Sequence, residues 1–192
     1  MAVTFDACSR FNRCMRFGIL PRAVMQVYLS EGVLTACELT HAWAMSTVTR
    51  KARFVFGDGP RANAMDELAS WIAEAPARRS IIWNVGPIEA MYFMLPWSPA
   101  NIDHAFRDAY ARERFEQLYL SEASRYQFCF AGPCDGGGQL VSCISNELYA
   151  ELVMHTERMG CKLAGIEPSI PAEWDRFSDV VQAKERALGV LD

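Results

Sequence analysis

Apolar and polar positions follow each other along this chain at two spacings. Short apolar runs bounded by turn residues read as strands, and recurrence every 3.6 residues reads as a helix. Residues 15–20 form a short apolar run closed by Pro21 and Arg22, and residues 23–29 are β-rich through Val24, Val27 and Tyr28. After Glu31-Gly32 the same style continues over residues 33–43. These three runs predict an antiparallel meander. Residues 46–59 are less regular. There Arg50, Lys51 and Arg53 precede a short strand, Phe54-Val55-Phe56, and Gly57-Asp58-Gly59-Pro60 marks a turn.

Met65, Leu68, Ala69 and Ile72 then fall on one face of a helix that Pro76 closes. Asp66 and Glu67 lie off that face, in early turns where the macrodipole favours acids. Residues 80–85 and 90–95 are strands separated by Gly86-Pro87, and Pro96-Trp97 ends the second. Residues 101–120 are the longest helix candidate. Its apolar stripe starts with Ile102, Ala105, Phe106 and Ala109 and continues at Phe115, Leu118 and Tyr119. Residues 126–130 and 139–144 are strands around a Gly-rich turn. Residues 147–159 are a helix with Leu148, Leu152 and Met159 on one face, Ser145 as N-cap and Gly160 as C′ residue. Residues 161–166 are a strand. From Pro171 a last helix turns Trp174, Phe177, Val181 and Leu188 inward. The order β-β-β-α-β, then β-α-β-β-α-β, then α defines a mixed α/β protein.

Composition narrows this reading little. The chain has 192 residues, 51% hydrophobic and 22% charged, with a formal net charge of −4. Those values exclude disordered, collagen-like and coiled-coil classes. Mild acidity argues against a nucleic-acid partner, which needs clustered positive charge. No apolar run approaches the roughly 20 residues that span a bilayer, and residues 1–14 read as an N-terminal extension without a signal peptide's apolar block. The seven cysteines are odd in number and irregular in spacing, which fits reduced thiols in a cytosolic protein. A zinc site from Cys129, Cys134 and Cys143 would need unusual loops, so these read as structural thiols.

Candidate chemistry is sparse. Asp135-Gly136-Gly137-Gly138 invites a phosphate reading, but Pro133-Cys134 puts the acid inside the loop and a plain hairpin turn explains it. No acidic residue lies between Asp6 and Glu31, and Phe17, Gly18, Ile19 and Leu20 stand where a first strand would offer a carboxylate to Mg²⁺. There is no GxSxG elbow, and no Cys or Ser has a signature beside His41, His104 or His155. Arg112, Glu113, Arg114 and Glu116 read as a solvated helix face. Trp97, at a strand–helix joint, either plugs a boundary between sub-sheets or lines a groove.

One stretch, residues 80–177, carries more. It holds Ile81-Ile82-Trp83-Asn84-Val85, then Ala90-Met91-Tyr92-Phe93-Met94-Leu95-Pro96-Trp97, then a helix with Ala111-Arg112-Glu113-Arg114-Phe115. It closes with paired strands, a helix, Gly160-Cys161-Lys162-Leu163-Ala164-Gly165-Ile166-Glu167-Pro168-Ser169, and the aromatic pair Trp174 and Phe177. This pattern resembles the PilM/GspL group, cytoplasmic actin-like scaffold proteins of type IV pilus and type II secretion machines. The resemblance implies a truncated actin-like/RNase H-like lobe: residues 15–87 and 161–192 as one subdomain, with residues 88–160 inserted as a β-α-β-β-α subdomain. It implies a non-enzymatic cytoplasmic scaffold with no cofactor and no metal, a degenerate ATPase fold held near the inner membrane through a partner. The partners so implied are the cytoplasmic tail of an inner-membrane platform protein and the assembly ATPase; a homodimer is compatible. The tail would lie along a strand edge or in the groove between subdomains, near Pro96, Trp97, Arg112 and Arg114. Two rivals stay open: a small cytosolic enzyme or ligand-binding protein with a Cys/His site, and nucleotide binding retained around residues 135–138.

Overall fold

The computed structural model describes residues 22–42, 45–74, 79–96, 98–131 and 138–170. A first sheet contains β1 (Arg22–Ser30), β2 (Val33–Ala42), β3 (Met45–Val55), β4 (Ser80–Val85) and β8 (Lys162–Pro168), in the order β3-β2-β1-β4-β8. Strands β1, β2 and β3 pair antiparallel; β4 is parallel to both β1 and β8. A second, antiparallel sheet has the order β5-β7-β6, from β5 (Ala90–Leu95), β6 (Tyr126–Phe130) and β7 (Gln139–Ser145). Helix α1 (Arg61–Ala73) follows β3, α2 (His104–Tyr119) links β5 to β6, and α3 (Asn146–Arg158) links β7 to β8.

The expected meander exists, one strand further along the chain. Residues 15–20 lie outside the described residues, and the third strand is β3, where the pattern looked irregular. The cause is Arg50. It occupies an inward slot with Ala52 and Phe54, while Lys51, Arg53 and Val55 are exposed. Its guanidinium lies 4.3 Å over the Trp71 ring, and Nη2 donates to the Trp71 carbonyl (3.0 Å) and the Glu74 carboxylate (2.9 Å). A charged inward residue hides a period-two strand from sequence. A register shift at Glu38/Leu39 further bends this outer strand.

Two cores follow from side-chain alternation. On one face of the first sheet, Met25, Val27, Leu29, Leu34, Ile81 and Trp83 meet Met65 and Leu68 of α1 and Leu148 and Leu152 of α3. Trp83 Nε1 donates to Thr156 Oγ1 at 2.8 Å, so the largest ring of this core is hydrogen-bonded. Helix α1 begins at Arg61, so Asp66 and Glu67 stand past its first turn, contrary to the expected dipole placement. Helix α3 keeps its expected ends: Ser145 Oγ accepts from the Leu148 N–H (3.1 Å), and Gly160 takes φ +65° as the C′ residue.

The second core is aromatic. Phe115 lies 4.7 Å from Tyr126, 5.0 Å from Tyr119 and 5.3 Å from Phe128, measured between ring centroids. The buried stripe of α2 is Ala111 and Phe115 with Tyr119 half-covered, whereas Ala105, Phe106, Ala109 and Leu118 are exposed. The expected stripe therefore starts on the wrong face. Asp103 caps the helix, accepting from Ala105 N–H (2.8 Å) and Phe106 N–H (3.0 Å) and turning those two residues outward.

A buried ion pair joins β2 to the start of β4. Arg79 Nε donates to Glu38 Oε1 at 2.7 Å, with side-chain exposures of 3% and 7%, and Arg79 Nη1 donates to the Ile72 carbonyl at the end of α1. Removing Arg79 leaves the buried Glu38 carboxylate with the longer Arg50 contact, Nη1 to Oε2 at 4.0 Å. Arg79→Met should cost about 3–5 kcal/mol in urea unfolding. The double change Glu38→Leu with Arg79→Met should recover most of that loss; a double variant as unstable as the single one contradicts this account.

Candidate functional site

Strands β1, β4 and β8 end side by side, with Leu29, Val85 and Pro168 in register. In open α/β sheets ligands gather outside such carboxyl ends. The exit of β4 is tight: Gly86 N–H donates to the Leu29 carbonyl at 2.7 Å, and a Cβ on Gly86 would stand 2.8 Å from that oxygen. One residue before the ends, register aligns Arg53, Thr35, Tyr28, Asn84 and Glu167 across all five strands. Their neighbours in sequence fill the core, so this row faces the opposite side of the sheet. Glu167 is its one carboxylate, and burial pushes its pKa up. Tyr92, from β5, is also held above the usual phenol range, first by burial, with Ser169 and the Ile170 backbone beside its hydroxyl.

Residues 17–20, where a metal-binding acid was sought, lie outside the described residues. The first described strand, β1, carries no carboxylate; Glu31 follows it, exposed, in the two-residue turn with Gly32. The turn joins β1 directly to β2 and leaves no loop of N–H groups to wrap a phosphate. Among the described residues no group of three or more His, Cys, Asp or Glu gathers as metal ligands. The turn at residues 132–137 lies outside them.

Pro96 is exposed at the end of β5, and its carbonyl accepts from Asn101 Nδ2 at 3.0 Å. Trp97 lies outside the described residues. Arg112 is half-exposed: Nε donates to Asp108 Oδ2 (2.8 Å), Nη1 to the Ala123 carbonyl (3.3 Å), and the guanidinium lies 4.9 Å over the Phe128 ring. Arg114 Nη1 reaches Gln117 Oε1 at 3.4 Å, along the same helix. Register separates these residues. Phe128, beneath Arg112, pairs with Cys143, which pairs with Met91 on the far side of the sheet, and Pro96 lies further along β5. That separation along the strand is ~17 Å. The two arginines share α2, and neither is brought to Pro96.

Two of the described thiols are quiet. Cys143 is buried in the aromatic core, its Sγ lies 3.8 Å from the Met91 carbonyl, and burial raises its pKa to about 12. Burial also raises Cys161, whose Sγ faces the Met159 carbonyl. His104 contacts Arg107 Nη2 at 2.6 Å on the exposed side of α2. A shallow cleft lined by Gln127, Cys129, Ser142, Tyr149, Ile166 and Pro168 follows the seam between the two sheets.

No protein-family model matches the sequence, and no curated protein matches it. Solved structures do. The cytoplasmic domain of EpsL, an inner membrane component of the type II secretion system of Vibrio cholerae, has a TM-score of 0.56 at 12% identity, over 76% of this chain and 57% of that one. The chain has a PilM/GspL-like actin-like fold. The PilM–PilN type IV pilus biogenesis complex gives 0.48 at 14% identity, over 77% of this chain and 46% of that one. A Bacteroides thetaiotaomicron protein with an actin-like ATPase fold gives 0.44 at 8% identity, over 76% and 52%. The chain spans about half the length of these structures. As expected from sequence, this PilM/GspL-like fold is mixed α/β. No helix among its described residues is long and apolar enough to cross a membrane.

Two outcomes are expected. Iodoacetamide at about pH 8 should leave Cys143 unmodified in the native chain and modify it on unfolding, because only the thiolate reacts; rapid native modification, read by peptide mass spectrometry, contradicts this. Glu167, its carboxyl raised by burial, stabilises the fold fully at acid pH, and that stability falls as pH rises through the folded value. Glu167→Gln should therefore gain stability over the natural chain at about pH 7 and lose the advantage near pH 3. Equal urea midpoints at both pH values would refute it.

Proposed function

We propose that this protein is a non-enzymatic cytoplasmic scaffold of a type IV pilus or type II-like secretion platform. It holds the cytoplasmic tail of an inner-membrane partner and contacts the assembly ATPase. The observation that carries this reading is the likeness of fold to the EpsL cytoplasmic domain, itself part of an inner-membrane component. A first described strand without a carboxylate, followed by a turn too short to wrap a phosphate, supports the non-enzymatic half of the reading.

In this proposal residues 15–87 and 161–192 form one subdomain and residues 88–160 the insert. The seam between the sheets and the outer strand edges are the surfaces offered to an extended tail, which gains main-chain hydrogen bonds at an edge and selectivity from side-chain pockets. Pro96 at the end of β5 and Arg112 and Arg114 on α2 would meet the tail at separate points.

Titration of the full chain with tail peptides from the platform proteins of its own assembly tests this. One tail should bind, and Arg114→Ala or Pro96→Ala should weaken it by roughly three- to tenfold, with unchanged melting. Mg²⁺–ATP should give no binding heat. Absence of binding to every tail and to the ATPase overturns the scaffold reading, and ATP binding with ordered Mg²⁺ overturns its non-enzymatic part.

A further inference from the structure

The second sheet is drawn from a single stretch of chain, residues 90–145, so it joins the first sheet through two connections. One is the turn at residues 86–89 between β4 and β5. The other is α3, which starts directly after β7 and leads back to β8. Ala90 and Ile144 stand at these two connections, opposite each other in the β5–β7 register, and both are buried in the first core. Further along the same strands, Phe93, Leu95 and Val141 belong to the separate aromatic core under α2. A packed pair at the junction, with a sheet that has its own core beyond it, is the geometry of a hinge.

One side chain grips both connections. Arg61 Nη2 pairs with Glu89 Oε1, at the end of the turn, and Nη1 donates to Glu151 Oε2 on α3 at 3.2 Å. All three side chains are half-buried. Arg61 is the first residue of α1, where the macrodipole disfavours a cation, and α1 has neither an acidic residue in its first turn nor a side-chain cap. Nothing local to the helix favours an arginine there; two carboxylates from other elements do. A residue that breaks a local rule is expected where function asks for it. The turn is also held at its start, where Gly86 N–H donates to the Leu29 carbonyl at 2.7 Å. We propose that Arg61 is an electrostatic latch on this hinge. It ties the turn and α3 to α1 and so fixes how the second sheet, with α2, is carried on the first. Its release lets the second sheet rock about the Ala90–Ile144 pair. The latch belongs to the fold itself and is independent of the tail-binding proposal.

Amide residual dipolar couplings of the full chain test this. In the natural chain, couplings from β1, β2 and β4 and from β5, β6 and β7 should fit one alignment tensor. In Arg61→Gln each sheet should still fit a tensor of its own, and the common fit should be lost. Arg158→Gln is the control: it removes an exposed pair with Asp66 (3.6 Å) between the same two helices and should keep the common fit. A common fit that survives Arg61→Gln, a natural chain that already needs two tensors, or equal loosening in Arg158→Gln would each overturn the proposal. A second measurement needs no variant and decides the matter if Arg61→Gln does not fold. Raising NaCl from about 0.05 M to about 1 M screens the latch and should speed hydrogen exchange at the Glu89 amide roughly threefold or more, while the Val27 amide stays protected. Unchanged exchange at Glu89 would overturn the latch as well.

Discussion

Strand β4 has to stay dry on both sides. It lies between two parallel neighbours, with Ile81, Trp83 and Val85 on one face and Ile82 on the other, all buried. The other elements are placed by that need. α1 and α3 close over the Trp83 face, and the Thr156 hydroxyl satisfies the indole N–H there. The Arg79 guanidinium, just before the strand begins, is neutralised by Glu38 from β2 and tied to the end of α1. At the far end Gly86 lets the chain leave against the Leu29 carbonyl. Desolvation sets the arrangement, and the polar contacts exist where burial would otherwise leave a donor or charge unmatched.

What could be read from sequence follows from how locally each signal is written. Ile81-Ile82-Trp83 announces a doubly buried strand, and Ser145 with Gly160 announces both ends of α3, because those signals need no distant partner. Strand β3 was hidden because Arg50 fills an inward slot that Glu38 on β2, and Trp71 and Glu74 more than twenty residues later, make tolerable. The stripe of α2 was misplaced because apolar residues stand on two faces and the aromatic cluster around Phe115 chooses between them. The polar row at the strand ends was invisible for the same reason: Thr35, Tyr28, Asn84 and Glu167 meet through pairing register alone.

The ends of β1, β4 and β8 carry a tyrosine, an asparagine and, among the described residues of that row, a single half-buried glutamate. Burial raises the pKa of Glu167 and favours its neutral form. Hydrogen-bonding groups therefore dominate this described row, and charge contributes to it only at Arg53 on the outermost strand.

The outermost strand, β3, has a consequence for crowding. Among the described strands it is the longest and stands at the edge of its sheet, a bulge twists it, and Lys51 and Arg53 on it are exposed. Two copies meeting margin to margin would press like charges together along a bent line. Edge-to-edge pairing of densely packed molecules through this strand is thereby disfavoured.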